Sequence, residues 1–481
     1  MKKFIALLLV LSCVITIFAC AGDNPANKVP DPKSTESEAE TTEARPDIPI
    51  VDMEGKEIRI FATGWYSYLP LFVVDIAPDE FSGESLNDVA YERKLNIENM
   101  YNCKIFQTTV DVPDQAVAAF QKSIQAGDDE YEIGIIRGMT FSNMLTGGYL
   151  RELDDLNNVD FDNPWWRKKA SEALAIGNKN FGVCGDISSN EMVTVLIVCF
   201  NKNMVTDYAL EVPYDLVKSG KWTLDKIVEM AKVVARDIDG DNVMTGADIW
   251  GIIYAHDQIA GILNTCGISL ARLDNEGYPE ITFDTAVNLS KIQTIFEKLF
   301  DETYSGNTTE RITSPDSIFG NERSLFIYTS THASSVLRQD EVDLGIVPYP
   351  KYDETQEDYL PYPTSTFLPI FCIPATNNDM DNTGLFMEAF AYEGRKSVIP
   401  VFYETVLKGK VARDNTSEEM IDYIFGNISY DTGTILNFGN MAVYIQLMSL
   451  TLDTNIASFA AKNRPAYETA IQKIMDEIDA R

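Results

Sequence analysis

Residues 56–63 read K-E-I-R-I-F-A-T and end at Gly64. Ile58 and Ile60 alternate with Glu57 and Arg59, the two-residue period of a β-strand, and the glycine closes it. Residues 86–102 then place Leu86, Val89, Leu95, Ile97 and Met100 at helical spacing. Residues 103–110 (C-K-I-F-Q-T-T-V) predict a second strand, 115–126 a second helix, and 131–136 a third strand. Strand, helix, strand, helix, strand is the pattern of a parallel sheet with right-handed crossovers. Ligands of such sheets sit beyond the carboxyl ends of the strands. Those ends are Gly64-Trp65-Tyr66 and Arg137-Gly138-Met139-Thr140.

Further on, M-V-T-V-L-I-V-C-F at 192–200 is the most continuous apolar run and predicts a strand buried on both faces. Residues 223–236 predict a helix with Leu224, Ile227, Ala231 and Val234 on one face, Thr223 as N-cap and Asp225 in the first turn. A helix near 284–300, strands at 324–328, 342–347 and 366–373, and mostly helix from Asn382 onward complete the pass. A chain of 481 residues exceeds the usual size of one domain, so two lobes are expected.

The N-terminus predicts export. M-K-K precedes an apolar run from Phe4 to Ala19 that is too short to span a bilayer as a helix. With Ala19 before Cys20, then Ala21 and Gly22, the segment resembles a bacterial lipoprotein signal. That resemblance implies residues 1–19 as signal peptide and a diacylglyceryl group on the thiol of Cys20. The alternative is an ordinary secretory peptide cut near Ala19 or Ala21. Residues 20–49, rich in Pro, Ser, Thr and acids, predict a disordered tether. The expected location is the extracellular face of the cell membrane, reached through the lipid anchor alone.

Against 73 acidic residues stand 39 Lys and Arg, a net charge of −34 that repels phosphate backbones and anionic lipid. Nucleic acid is thereby disfavoured as a partner. Of seven cysteines, Cys103, Cys184, Cys199, Cys266 and Cys372 remain once Cys13 leaves with the signal and Cys20 is lipidated. No pair has C-x-x-C spacing, so neither a zinc site nor a disulfide framework is indicated. Apolar flanks such as V-C-F and F-C-I suit buried thiols acting as small hydrophobes.

Four segments carry a family likeness: F-N-K-N-M (200–204), V-P-Y-D-L-V-K-S-G-K-W-T-L-D-K (212–226), D-L-G-I-V-P-Y-P-K-Y-D-E-T-Q-E-D-Y (343–359) and G-K-V-A-R-D (409–414). They resemble the extracellular solute-binding proteins of ABC importers, in the group similar to maltose-binding protein and in its lipid-anchored form. The resemblance runs in order from about Lys56 to the C-terminal helix. It implies an α/β, two-lobe periplasmic-binding-protein-like fold of type II with a hinge of crossing strands. By analogy the crossings lie near 192–200, 324–328 and 366–373. Lobe 1 would be 50–191 plus 325–370, and lobe 2 would be 192–324 plus 371–481. The implied function is capture of a sugar or oligosaccharide in the interlobe cleft and delivery to permease subunits, by a monomer without enzymatic activity.

Sugar sites pair aromatic platforms with planar hydrogen-bonding side chains. In lobe 1 the candidates are Trp65, Tyr66 and Tyr68 after the first strand, Arg137 and Thr140 after the third, and Asp186 in G-D-I-S-S. Packing of a loop or core is the alternative for the aromatics, a structural salt bridge for Arg137, and a turn role for Asp186. In lobe 2, W-G-I-I-Y-A-H-D resembles the family segment that presents aromatic and acidic groups to the ligand, which implies Trp250, Tyr254, His256 and Asp257 as candidates, and Tyr328 with Thr329 lies at a crossing. A lone histidine is more often structural than ligating, which makes His256 the weaker candidate. Trp165, Trp166 and Trp222 fit packing roles better than contact with a solute.

D-I-D-G-D-N-V-M-T-G-A-D at 237–248 spaces oxygen donors as a calcium loop does: Asp237, Asp239, Asp241, the Val243 carbonyl, Thr245 and Asp248. Asn242 stands where a turn glycine is usual, which asparagine tolerates, and Asp248 where a bidentate Glu is usual. The loop is expected to hold a structural Ca2+; otherwise it is a turn with solvated acids.

The competing function class is an extracellular hydrolase of carbohydrate using paired carboxylates. HExxH, GxSxG, SxxK and dinucleotide patterns are absent from the sequence, and two histidines leave little scope for imidazole chemistry. A calcium-dependent adhesin, the third class, would have one loop and no repeat to support it.

Overall fold

The computed structural model describes residues 48–64, 76–154, 156–308, 312, 314–337, 342–366, 368–412 and 414–481. Its strands are β1 (Lys56–Thr63), β2 (Cys103–Val110), β3 (Ile133–Arg137), β4 (Leu196–Asn201), β5 (Trp250–Tyr254), β6 (Ala271–Leu273), β7 (Pro279–Ile281), β8 (Ser305–Asn307), β9 (Ser324–Ser330), β10 (Leu344–Val347) and β11 (Pro369–Cys372). They form one sheet of order β11-β3-β1-β2, a second of order β10-β4-β9-β5-β8, and the hairpin β6-β7.

The alternation at 56–63 does what its period demands. Ile58 and Ile60 face a core shared with Ile97 and Tyr101 of the helix Ser85–Tyr101. Phe61 points the other way and stacks on Phe120 of the helix Pro113–Ala126, with ring centroids 4.9 Å apart. Pro113 suits the start of that helix, where its missing N–H has no partner to lose. β2 and β3 both run parallel to β1. β11 is antiparallel to β3, so the first sheet is mixed rather than wholly parallel. In the second sheet β8 and β9 run parallel to β5, while β4 is antiparallel to β9 and β10.

The apolar run at 192–200 is a strand only in its second part. Asn190–Val193 forms a helical turn, and β4 starts at Leu196. The Met192 carbonyl accepts from the Thr331 hydroxyl at 2.6 Å, and the Thr194 hydroxyl donates to the Glu191 carbonyl at 2.7 Å. Hydrophobicity without a period does not separate a buried turn from a buried strand; tertiary hydrogen bonds decide here.

The lobe boundaries expected from the resemblance do not follow the sheets. β9 and β10, expected in the first lobe, lie in the second sheet. Leu385, Phe386 and Phe390 of the helix Met380–Glu393, expected in the second lobe, pack in the core of the first sheet beside Ile58 and Ile60. The chain passes between sheets within 138–195, 348–368 and 394–414, and not at 324–328. The last pass is helical, with π-type turns over Gly394–Val398 and Phe402–Val411.

The motifs that carry the family likeness are packing devices. Asn201 caps the helix Lys202–Asp207 by accepting from the Met204 N–H at 3.0 Å. Lys202 Nζ donates to Asp414 Oδ2, which also accepts from the Tyr214 hydroxyl at 3.0 Å. The Trp222 indole donates to the Pro348 carbonyl at 2.8 Å. Trp165 and Trp166 are buried, and the Trp166 indole donates to Glu388 Oε2 at 2.7 Å. All five described cysteines are buried and free. Among the described residues no helix is long and apolar enough to cross a membrane.

Candidate functional site

A relay of backbone hydrogen bonds brings strand ends of the two sheets together. After β3, Gly138 N donates to Leu368 O at 2.9 Å and Met139 N to Ser365 O at 3.0 Å. Thr364 N then donates to Thr194 O at 2.9 Å, and Thr331 N, just after β9, to Val195 O at 2.9 Å. The carboxyl end of β3 in the first sheet is thus linked to that of β9 in the second through the segments that cross between them. Gly138 suits this junction, because a Cβ there would lie 3.1 Å from Ser365 O, a tight contact. At the end of β1, Gly64 is under a stricter constraint, with Asp111 backbone 2.9 Å from a would-be Cβ.

Among the polar atoms buried without hydrogen-bond partners, five lie at or just past the carboxyl ends of strands. They are Thr63 Oγ1 at β1, His256 Nδ1 and Asp257 Oδ1 just past β5, and Asn307 Oδ1 with Thr308 Oγ1 at β8. Buried polar groups are paired in the great majority of cases, so unpartnered atoms at strand ends, where ligands of such sheets sit, mark candidate contacts for a bound group. The short helix His256–Gln258 is fixed from behind, since Gln446 Nε2 donates to the Asp257 carbonyl at 2.7 Å. Burial raises the Asp257 carboxyl above the ordinary carboxylate range, against the pull of His256 beside it.

The structure divides the candidates chosen from sequence. His256 and Asp257 stand just past the end of β5, a strand that the sequence reading did not assign. Arg137 ends β3, with Asp114 Oδ1 3.2 Å from its guanidinium, the structural pairing that the sequence left open. The Thr140 hydroxyl donates to the Arg137 carbonyl at 3.2 Å. Asp186 is fully buried between Arg167 at 2.6 Å and Arg395 at 3.4 Å, an internal ion-pair network rather than a group facing a cleft. Trp250 and Tyr254 are core residues: the Trp250 indole donates to the Thr245 carbonyl at 2.8 Å and the Tyr254 hydroxyl to the Leu299 carbonyl at 3.2 Å. Both lie within β5, where a strand covered on both faces buries every side chain. Tyr328 and Thr329 are buried inside β9 for the same reason, with Tyr328 edge-on to Tyr349 at 4.6 Å. Trp65, Tyr66 and Tyr68 lie outside the described residues, as do Cys20, the signal segment and Arg413.

Three residues at strand ends went unread in the sequence. Asn307 and Thr308 end a three-residue strand too short to leave a period. His332 follows β9 and is 7% exposed, and burial pushes its imidazole down to about 4, leaving the ring neutral at physiological pH. The missed signal was position: β9 runs on past Tyr328 to Ser330, which puts Thr331 and His332 just beyond its end.

In the acidic loop, carboxylate oxygens of Asp237, Asp239 and Asp248 lie within 4.8 Å of one another. Calcium holds oxygens at about 2.3 to 2.6 Å, so these three fit around one ion. Asp241 is outside the group, its Oδ1 accepting from Val243 N at 2.7 Å, and the Thr245 hydroxyl is committed to Asp248 at 3.0 Å. Asn242 takes the left-handed conformation expected of it, with φ 64°. A pair of backbone bonds between Arg236 and Ile249, at 2.8 and 3.0 Å, closes the loop, and the Trp250 indole pins its floor. For Asp239, the Asp241 N–H pulls the carboxyl down, but hydration lost within the loop and repulsion from Asp241, Asp237 and Asp248 leave it raised. A divalent cation would relieve that repulsion.

No protein-family model matches the sequence, and no curated protein is similar to it in sequence. Solved structures are similar in fold. A cyclo/maltodextrin-binding protein complexed with maltotetraose superposes with a TM-score of 0.56 at 14% identity, covering 89% of this chain and 98% of its own. An ABC substrate-binding protein from Listeria monocytogenes in complex with cycloalternan gives 0.52 at 12%, covering 88% and 99%. The maltose/maltodextrin-binding domain MalE from Bdellovibrio bacteriovorus bound to maltotriose gives 0.51 at 13%, covering 88% and 100%. The fold is therefore the two-lobe α/β fold of periplasmic-binding-protein type. More particularly, it is the fold of the maltodextrin-binding ABC substrate-binding proteins.

Proposed function

We propose that this chain is the lipid-anchored, extracellular solute-binding component of an ABC importer, taking up a sugar or oligosaccharide between its lobes and handing it to a membrane permease. The observation that carries this reading is the set of unpartnered polar atoms at Thr63, His256, Asp257, Asn307 and Thr308, at or just past the carboxyl ends of β1, β5 and β8, where ligands of such sheets sit. Such atoms match the hydroxyls of a carbohydrate, each of which donates and accepts. Neighbours of the same fold hold maltotriose, maltotetraose and cycloalternan, which makes α-linked glucose oligomers the first class to try. Binding acts by population shift: a ligand touching both lobes favours the closed arrangement over the open one.

Cys20 would carry the lipid, and the tether would let a monomer work beside the permease. A Ca2+ ion held by Asp237, Asp239 and Asp248 would fix the loop that Trp250 closes, and with it the start of β5, whose far end bears His256 and Asp257. Small-angle scattering with and without maltodextrins tests the proposal: a decrease in radius of gyration on adding ligand is expected, and an unchanged radius with every saccharide argues against it.

A further inference from the structure

Contacts outside the crossing segments also join the two lobes. One side of them belongs to the first sheet. Arg151 N donates to Ile373 O at 2.8 Å and Val183 N to Phe371 O of β11 at 2.9 Å, so the helix Lys168–Leu174 and the turn after it lie between two anchors beside β11. The other side belongs to the second sheet. The helix Ile259–Thr265 follows β5 and packs on β4, where a Cβ on Gly261 would lie 2.1 Å from Leu196 Cδ1. Asn264 Nδ2 of that helix donates to the Thr434 hydroxyl at 2.9 Å, and Leu270 N, just before β6, donates to Asp431 Oδ2 at 3.3 Å. The helix Thr432–Leu436 and the β6-β7 hairpin are thereby carried by the second lobe.

Three contacts run in a row between these two sides. Ile435 Cγ2 lies 3.3 Å from the position of a Cβ on Gly138, just past β3. One turn earlier in the same helix, the Thr432 hydroxyl donates to Ala173 O at 2.9 Å. Gly177 N then donates to Gly277 O at 2.8 Å, and Asn178 Nδ2 to Glu276 O at 3.0 Å. In this last contact two turns dock backbone to backbone. Gly277 has φ 82°, and a Cβ on it would lie 2.6 Å from Asn178 N, so conformation and space both demand glycine there. The helix Ile456–Asp479 reinforces the row, because Asp479 Oδ1 accepts from the Tyr278 hydroxyl at 2.9 Å and Arg481 Nη1 donates to Leu150 O at 2.7 Å.

Gly138 stands at the carboxyl end of β3, the side on which ligands of such sheets sit. A second-lobe side chain packed against it marks the closed arrangement. Rotation of the lobes about the crossing segments parts the row, so each bond in it favours closure over opening. We propose that this row is an interlobe clasp, which holds the lobes closed through contacts that touch no ligand. The inference rests on the two-lobe fold and not on the sugar reading, and its test uses no ligand.

Small-angle scattering and hydrogen exchange compare the wild-type chain with two variants. The first is Asn178→Gly, which keeps the left-handed backbone of φ 59° and removes the side-chain bond. The second adds Thr432→Val and Arg481→Ala, which remove the hydroxyl on Ala173 O and the guanidinium on Leu150 O. Both variants melt cooperatively and have a larger radius of gyration than the wild type, the triple variant more so. In the triple variant the Gly177 amide exchanges at least tenfold faster. Radii equal to that of the wild type in both variants overturn the proposal, even with faster exchange, because the turns have then loosened without parting the lobes. A smaller radius in either variant also overturns it, and so does a larger radius with unchanged exchange at Gly177.

Discussion

The Tyr214 hydroxyl donates to Asp414 Oδ2 at 3.0 Å across 200 residues of sequence. The same carboxylate accepts from Lys202 and caps the helix Asn415–Gly426 through the Ser417 N–H at 2.8 Å. Three of the segments that make the chain look like a solute-binding protein thus meet at one acid. Although partial burial opposes ionisation, the Lys202, Ser417 and Tyr214 donors hold this carboxyl below its ordinary value. Asp414→Ala is expected to cost about 2 kcal/mol, a lost cap plus the loss of one of the two carboxylates that pair with Lys202. A folded value below the unfolded one gives stabilisation that is present above the unfolded carboxyl pKa and lost as pH falls through the folded one. Urea titrations at pH 7 and below 4 check this: the gap between wild type and variant narrows in acid, and a gap independent of pH would refute it.

Asp186 gives a second prediction, because its burial between Arg167 and Arg395 leaves no room for a role in ligand contact. Removing one member of a buried charge network strands the others, so Asp186→Ala should lose about 3 to 5 kcal/mol of stability. Ligand affinity measured on the fraction that remains folded should be unchanged. A stable variant with lost affinity would reverse the assignment.

Asp257 should behave in the opposite way. Its carboxyl is raised by burial, so the ionised form costs stability at neutral pH, and that cost fades as pH falls through the raised value. Asp257→Asn keeps the shape and removes the charge. The variant is expected to melt at or above the wild-type temperature at pH 7 while binding the cleft ligand at least tenfold more weakly, about 1.4 kcal/mol. Equal affinity would take Asp257 out of the site.

The acidic loop supplies a fourth test. Calcium at a hundredfold excess over its dissociation constant should add about 2.7 kcal/mol to stability, seen as a raised melting temperature that chelator reverses. Asp239→Asn should abolish the calcium-dependent part. Superimposable melts in calcium and in chelator would leave the loop an unmetallated turn.

These tests also mark where sequence reasoning stopped. Strands with a clean period, such as 56–63 and 103–110, were legible to the residue, and the cap at Thr223 is present, its side chain accepting from Lys226 N. The apolar run at 192–200 was not, since hydrophobicity without a period fits a buried turn as well as a strand. His256 and Asp257, chosen through the likeness of W-G-I-I-Y-A-H-D to a family segment, lie just past the end of β5. Trp250, Tyr254 and Tyr328 were misplaced because aromatic character was taken for exposure, whereas each lies inside a strand with both faces covered. Thr308 and His332 carry no motif and show their place only when the strands are assembled.

The most direct measurement is calorimetric titration of the chain with maltotriose and maltotetraose, followed by chromatography of the recovered saccharide. The account predicts saturable binding of one ligand per chain and recovery of the sugar intact. Shortened saccharides in the recovered fraction, or no binding by any oligosaccharide, would contradict it.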